Sequence, residues 1–366
     1  MKRREFLKKT AVAGVAGTAA VSLAKPAISQ GRKEMIIVST WGRDFPGLGL
    51  SAQRLAARIP VLTEGRIQVQ YFAAGERVGA FDSFDEVASG NSQAYIATDY
   101  YWKGKHPGWA FFAAVPFGLT YVEMDAWMKY GGGQELHDEL AADFNIKGFP
   151  CGNTGCQMGG WFNKEINSAD DFKGLKMRIP GLGGDVLSKL GASTVSLPGS
   201  QIYENLVSGA IQATEWVGPY NDYFMKFYEA AKYYYYPGMH EPASQSTLGI
   251  NKKWWDGLSK TDQAIIQAAC NEENAYQMAD TNANNGTYLR KLIDEQGVKL
   301  RNFNDDVYDA FGEAAKDVFA EVQEHSPLAK KIFESFVAAR ADVGRWMMLA
   351  DAGFINQRNR VLGIKV

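Results

Sequence analysis

The chain has 366 residues, with 39 Lys/Arg against 41 Asp/Glu and 46% hydrophobic residues. That length exceeds what one small core usually serves, so two lobes are the expectation. A slightly acidic balance argues against a nucleic-acid partner and against attraction to an anionic membrane.

The chain opens Met1-Lys2-Arg3-Arg4-Glu5-Phe6-Leu7-Lys8, where paired arginines followed by Phe-Leu-Lys make a twin-arginine export address. An Ala/Gly/Val-rich stretch over 11–24 follows, too short and too poor in Leu and Ile for a membrane span. Ala27-Ile28-Ser29 reads as a cleavage site, so residues 1–29 are a signal peptide and the mature chain starts near Gln30. Without that segment 33 basic and 40 acidic residues remain, a net charge of −7. No later stretch reaches span length, and no Cys follows the signal at a lipid-attachment position. The expected location is the periplasm, free in solution.

Lobe I, residues 30–162, begins with a strand over 35–39 and a helix over 50–63 that carries Leu55, Ile59 and Leu62 at helical spacing. Gly65 stops the helix, and Ile67, Val69 and Tyr71 alternate in the strand that follows. A strand–helix–strand unit implies parallel pairing. A short helix over 81–89, a strand over 94–98 and a similar pattern over 123–149 complete the lobe. Lobe II, residues 163–246, starts with a turn capped by Ser168. It continues through strands over 174–179, 193–197 and 211–217, with helices over 184–190 and 200–208 between them. Residues 247–366 begin with a strand over 247–251 that crosses back toward lobe I. Helices follow, over 259–284 and then two or three more over 305–356. The fold class expected is α/β, a two-lobed periplasmic binding protein with a helical C-terminal region. Tyr233–Tyr236 is an aromatic run suited to packing.

Three cysteines, Cys151, Cys156 and Cys270, leave at least one thiol unpaired in an oxidising compartment. Cys151 and Cys156 read as small buried apolar side chains rather than a disulfide. Enzyme signatures are absent: there is no Gly-x-Ser-x-Gly, no His-Glu-x-x-His and no Cys-x-x-Cys. Gly181-Leu182-Gly183-Gly184 is half a dinucleotide fingerprint, but Val186 stands at the third glycine position, so a tight turn opening a helix is the better reading. The four histidines lack metal-ligand spacing.

Three polar residues stand in apolar company: Arg178 and Glu215 at strand ends, and Gln157 in a Gly-rich stretch before Trp161. In open parallel sheets ligands sit beyond the carboxyl ends of strands. Arg178 offers a planar fork for a carboxylate, or it forms a salt bridge with Glu215; both readings stay open. If a ligand anion is present, Glu215 avoids repulsion by holding a cation. Gln157 would add a neutral oxygen, and hard oxygen ligands suit sodium or calcium.

At these residues the sequence resembles the extracytoplasmic solute-binding proteins of tripartite ATP-independent periplasmic (TRAP) transporters, the DctP-like family. Asp171-Phe172-Lys173-Gly174-Leu175-Lys176-Met177-Arg178 carries the resemblance, with Leu197-Pro198-Gly199-Ser200-Gln201-Ile202-Tyr203-Glu204-Asn205-Leu206 and Gly209-Ala210-Ile211-Gln212-Ala213. The α-keto acid and lactate binders are the subgroup it is most similar to, through Gly152-Asn153-Thr154-Gly155, Gln157-Met158-Gly159-Gly160-Trp161-Phe162, Thr214-Glu215-Trp216-Val217-Gly218-Pro219-Tyr220 and the tyrosine run. The resemblance implies two lobes closing on a small 2-oxo or 2-hydroxy monocarboxylate such as pyruvate or lactate. It implies that Arg178 grips the carboxylate, with Asn153, Gln157, Trp216 and Tyr101 (or Tyr100) as further ligand contacts. It also implies a bridging sodium or calcium ion on Gln157, Glu215, Glu241 and the backbone of Trp216. His240 and Pro242 flank Glu241 where the family is more aromatic and glycine-rich. The implied partners are the TRAP permease subunits in the membrane. A second copy is expected too, since some members of the subgroup swap C-terminal helices. No nucleotide or redox cofactor is expected, and the chain is read as a receptor, not an enzyme. The alternatives are an exported enzyme acting on the same acids, which would need a general base or cofactor near Arg178, and a sensory binding protein.

Overall fold

A computed structural model describes residues 31–364. The export signal read from residues 1–29 lies outside them. Two sheets organise the described chain. The first has five strands in the order β2-β1-β3-β10-β4. Their ranges are β1 Lys33–Ser39, β2 Ile67–Phe72, β3 Ala94–Thr98, β4 Ile146–Asn153 and β10 Gln245–Asn251. β1 pairs in parallel with β2 and β3, joined by the helix Leu48–Leu62, as the strand–helix–strand pattern predicts. β10 enters antiparallel between β3 and β4, and all seven of its residues are buried because strands flank it on both sides and the sheet is covered on both faces.

The second sheet has six strands in the order β11-β9-β5-β8-β6-β7. They are β5 Gly160–Phe162, β6 Lys176–Arg178, β7 Ser193–Val195, β8 Ala213–Thr214, β9 Tyr233–Tyr236 and β11 Lys299–Asn302. All six differ from expectation. β6, β7 and β8 are shorter than the predicted strands over 174–179, 193–197 and 211–217, and β5 and β9 were not read as strands. β8 ends early because its continuation turns into the space between the sheets, where Val217 N donates to Asp222 Oδ1 at 3.0 Å. β11 was not anticipated; it is a polar four-residue edge strand that gains its ladder only by pairing with β9.

The tyrosine run is β9. The Tyr234 ring stacks on Trp161 at 4.0 Å between centroids, and Tyr235 stacks on Phe303 at 4.7 Å. Two segments therefore connect the sheets side by side: 154–159 from β4 to β5, and 237–244 from β9 to β10. They are tied by Thr154 N donating to Ser244 O at 3.1 Å and Gln157 N donating to Glu241 O at 3.0 Å.

A third connection is the helix Lys260–Asp294. It runs ten residues past the predicted end, because Leu289 and Leu292 resume apolar packing after a polar stretch. It lies so close to β4 that a Cβ on Gly152 would meet Gln277 Oε1 at 1.8 Å. The C-terminal helix Asp305–His325 packs on the helix Gly181–Lys189, with Phe311 against Phe172 at 5.3 Å, while Pro327–Met347 packs on the helices Tyr121–Tyr130 and Gly133–Ala142 through residues up to Phe336. Beyond Phe336 no described residue is buried, and Trp346, Leu349, Phe354, Val361 and Leu362 are each at least 65% exposed. No helix among the described residues is long and apolar enough to cross a membrane.

Candidate functional site

Arg178 closes β6 and Glu215 follows directly on the neighbouring parallel strand β8. Both therefore emerge at carboxyl ends of strands, where the sheet leaves a crevice. Their side chains are 1% and 0% exposed. Arg178 Nη1 donates to the Glu215 carboxylate and, at 3.3 Å, to its backbone oxygen, while Nε donates to Leu197 O at 3.1 Å. The salt bridge left open in the sequence is present. It consumes only part of the fork, because Nη2 is buried without a partner. Burial opposes the guanidinium charge, but Glu215, Tyr101, Tyr100 and Glu241 together outweigh it and the Arg178 pKa is raised.

The guanidinium carbon sits 5.3 Å from the centre of a Trp216 ring. A Cβ on Gly199 would lie 2.5 Å from the Trp216 indole, so glycine at the start of the helix Gly199–Val207 is what lets the ring lie there. The indole nitrogen of Trp216 is buried and unpartnered.

The 237–244 connection brings His240 and Glu241 to the same point. His240 Nε2 lies 3.3 Å from Glu215 Oε2, and one ligand atom each of Glu215, His240 and Glu241 falls within 4.8 Å of the others. Gly183 admits this approach, since a Cβ there would be 2.6 Å from that of His240. Burial, then the charge of Glu215, pushes Glu241 up to about 7. Burial lowers the His240 pKa, but the hydrogen bond and charge of Glu215 outweigh it, so the net shift is upward. Glu241 Oε2 has no partner. From the 154–159 connection, Gln157 Nε2 donates to Thr154 Oγ1 at 2.9 Å, leaving Oε1 buried and unpartnered.

Tyr100 and Tyr101, in a turn after β3, pack edge to face at 4.9 Å. They line a small cavity of about 10 Å³ with Trp41, Gln157, Trp216 and Ser244. Burial raises the pKa of both phenols. A space of that size is about one water.

Buried polar atoms in folded proteins are nearly always hydrogen-bonded. Here two acceptors, Gln157 Oε1 and Glu241 Oε2, and two donors, Arg178 Nη2 and Trp216 Nε1, are buried without partners in one neighbourhood. Two oxygens suit a hard cation, and two N–H groups suit an anion.

Arg178, Glu215, Gln157, Glu241, Trp216, Tyr100 and Tyr101 thus come together. Asn153 does not join them through any recorded contact; its Oδ1 accepts from Gly155 N at 2.9 Å, holding the turn after β4. His240 was not among the sequence candidates, although its place beside Glu241 was a usable signal. One expectation is corrected. Cys151 is buried as anticipated, but Cys156 is exposed because it falls in the connection beyond the strand; no cysteine pairs with another.

Residues 39–326 match the family of bacterial extracellular solute-binding proteins, family 7 (DctP). The chain is 38% identical over 361 residues to a monocarboxylate 2-oxoacid-binding periplasmic protein of Nostoc sp., covering 97% of this chain and 98% of that one. It is similar to a TRAP periplasmic solute-binding protein of Pseudoalteromonas atlantica with bound sodium and pyruvate. The TM-score is 0.86 at 38% identity, covering 89% of this chain and 99% of that one. A TRAP solute-binding protein of Bordetella bronchiseptica, a dimer with calcium and picolinate in one site, gives a TM-score of 0.88 at 35% identity, covering 90% and 98% of the two chains. The chain belongs to the bacterial extracellular solute-binding proteins of family 7, the solute receptors of TRAP transporters, which bind and deliver their ligands rather than transform them.

Proposed function

We propose that this protein is the periplasmic receptor for a small 2-oxo or 2-hydroxy monocarboxylate, pyruvate being the simplest, held between lobes 30–162 and 163–246. The observation that carries the reading is the set of unpartnered acceptors and donors meeting at one inter-lobe point. The ligands named for the Nostoc and Pseudoalteromonas relatives support it. Arg178 grips the ligand carboxylate through Nη2, while Nη1 and Nε stay tied to Glu215 and Leu197. Trp216 adds its indole N–H, and Tyr101 and Asn153 complete the polar contacts as the lobes close.

The oxygens of Gln157, Glu215 and Glu241, with the backbone carbonyl of Trp216, would hold a sodium or calcium ion. Bound there, the ion would supply the positive charge that lets protein carboxylates stand beside an anionic ligand. The unpartnered oxygens of Gln157 and Glu241 fit that role. For an acid of about six heavy atoms, a ceiling near −1.5 kcal/mol per atom allows roughly −9 kcal/mol, a dissociation constant just below micromolar.

Export runs through the twin-arginine signal, and the membrane partners are TRAP permease subunits. The exposed apolar residues of the helix Gly353–Leu362 are the face on which a second copy docks, giving a homodimer. Calorimetry tests the central claim. Pyruvate should bind wild type in the presence of calcium or sodium and lose most of its affinity in Arg178→Ala and after chelation and sodium removal. Undiminished affinity in either arm rejects the corresponding contact.

A further inference from the structure

A second buried polar group lies at the end of β3, next in sequence to the site tyrosines. Asp99 and His137 are 0% and 1% exposed. Two partners meet at Asp99 Oδ2: His137 Nε2 lies at 3.1 Å, and the Thr247 hydroxyl donates at 2.8 Å. Tyr95 Oη donates to the other oxygen at 3.4 Å. The imidazole stands among aromatic edges, with Phe112 at 4.9 Å and Trp109 at 5.4 Å between ring centres. Its Nδ1 is buried without a partner, so the ring's one recorded hydrogen bond is the one to Asp99. Two glycines make room for the group. A Cβ on Gly148 of β4 would collide with the His137 ring, and one on Gly249 of β10 with the Tyr95 ring.

We propose that Asp99, gripped by His137 and Thr247, positions the turn that presents Tyr100 and Tyr101 to the ligand. The inference rests on the function proposed above and adds a cluster outside the Arg178 site. Asp99 opens the turn Asp99–Trp102, so fixing its carboxylate fixes the backbone from which both tyrosines leave. Both line the small cavity with Gln157 and Trp216. Thr247 lies on β10, the strand entered from the connection that carries Glu241, and it pairs across from Ala97 of β3. His137 comes from the helix Gly133–Ala142 and packs against Gly148 of β4, the strand that leads toward Gln157. One carboxylate thus joins β3 to β10, and its imidazole partner packs on β4. These are three neighbouring strands, each of which hands over to a segment of the site. Stability alone does not call for such a group, since a buried acid and its partner can often be replaced by apolar side chains at no loss. What the group adds is a fixed turn. Apparent affinity falls in proportion to the fraction of molecules that hold the competent arrangement.

Thr247→Val removes one donor to Asp99 and keeps the side-chain shape, and Thr247→Ser restores the hydroxyl. His137→Phe removes the other donor and keeps a ring among the aromatic edges. Pyruvate affinity is measured by calorimetry with calcium present, and unfolding in urea is followed in parallel. If about a tenth of the variant molecules hold the turn in place, apparent affinity falls about 10-fold. Thr247→Val and His137→Phe should each show that loss while remaining folded, and Thr247→Ser should stay within about 2-fold of wild type. A double-mutant cycle separates positioning from general loosening. In the Tyr100→Phe/Tyr101→Phe background, where no phenol hydroxyl remains to be placed, adding Thr247→Val should cost less than about 2-fold. Unchanged affinity in both folded variants overturns the proposal. So does an equal loss in the double-Phe background, a Thr247→Ser loss as large as that of Thr247→Val, or failure of both variants to fold, which would make the cluster scaffold alone. Failure of pyruvate itself to bind wild type sinks the parent reading, a result distinct from any of these.

Discussion

Asp222 and Glu241 are almost equally buried acids, and they differ in completeness. Asp222 accepts three hydrogen bonds: from Val217 N at 3.0 Å, Trp161 Nε1 at 2.9 Å and Tyr234 Oη at 2.7 Å. Glu241 leaves Oε2 without any partner, beside equally unsatisfied atoms of Gln157, Arg178 and Trp216. The first acid closes a network that holds β5, β9 and the start of the helix Pro219–Met225 together. The second belongs to a network that needs a further component. Complete buried networks belong to the scaffold; an incomplete one marks the place where the scaffold receives something.

The contrast is broken most directly at Asp222. Asp222→Ala strands three buried donors at about 1–3 kcal/mol each, so roughly 3–9 kcal/mol of unfolding free energy should be lost in urea titration. A loss under 1 kcal/mol would show that the network is not structural. The same residue predicts a pH dependence. Burial raises its pKa from 3.8 to about 7, despite the three donors. The folded state therefore holds the proton longer than the unfolded chain. Its contribution to stability is fully present below about pH 3.8 and is lost as pH rises to about 7, by at most about 4 kcal/mol. Comparing wild type with Asp222→Asn across that window isolates the effect, and parallel stability curves would refute it.

Glu241→Gln sharpens the comparison from the other side. The ligand-free protein should lose little stability, because no recorded hydrogen bond satisfies the Oε2 that is replaced. Calcium affinity should fall at least about 10-fold, roughly 1.4 kcal/mol. The reverse pattern, lost stability with intact calcium affinity, would make Glu241 part of the scaffold. The smallest effect is expected at the rim, where Lys103 Nζ lies 2.5 Å from Asp185 Oδ1 across the crevice. Both side chains are about one-third or more exposed, so Lys103→Ala should change stability by less than about 1 kcal/mol and ligand affinity by only a few-fold. A larger change would mean that this pair, and not the buried cluster, governs closure.

Arg178 and Glu215 were legible because a charged residue at the end of an apolar strand stands out against its neighbours. Gln157 showed as a lone amide in a Gly-rich stretch, while Glu241 lies on the other connection between sheets, where no periodicity marks which way a side chain points; resemblance to a family carried Glu241. His240 entered only as a departure from the family's pattern. Its value comes from Gly183, 57 positions earlier, which leaves room for it against Glu215. β11 escaped notice because a short polar edge strand carries almost no hydrophobic signal.

Local order along the chain determined the alternation of strands and helices, the parallel unit at its start and the strand ends where charge gathers, since these follow from side-chain period and turn residues. Tertiary structure alone decided which polar atoms find partners and which do not. Arg178 meets Glu215 across 37 positions, and His240 meets it across 25. Whether a fork of nitrogens is used up or left half free depends on three-dimensional neighbours that no spacing in the sequence specifies.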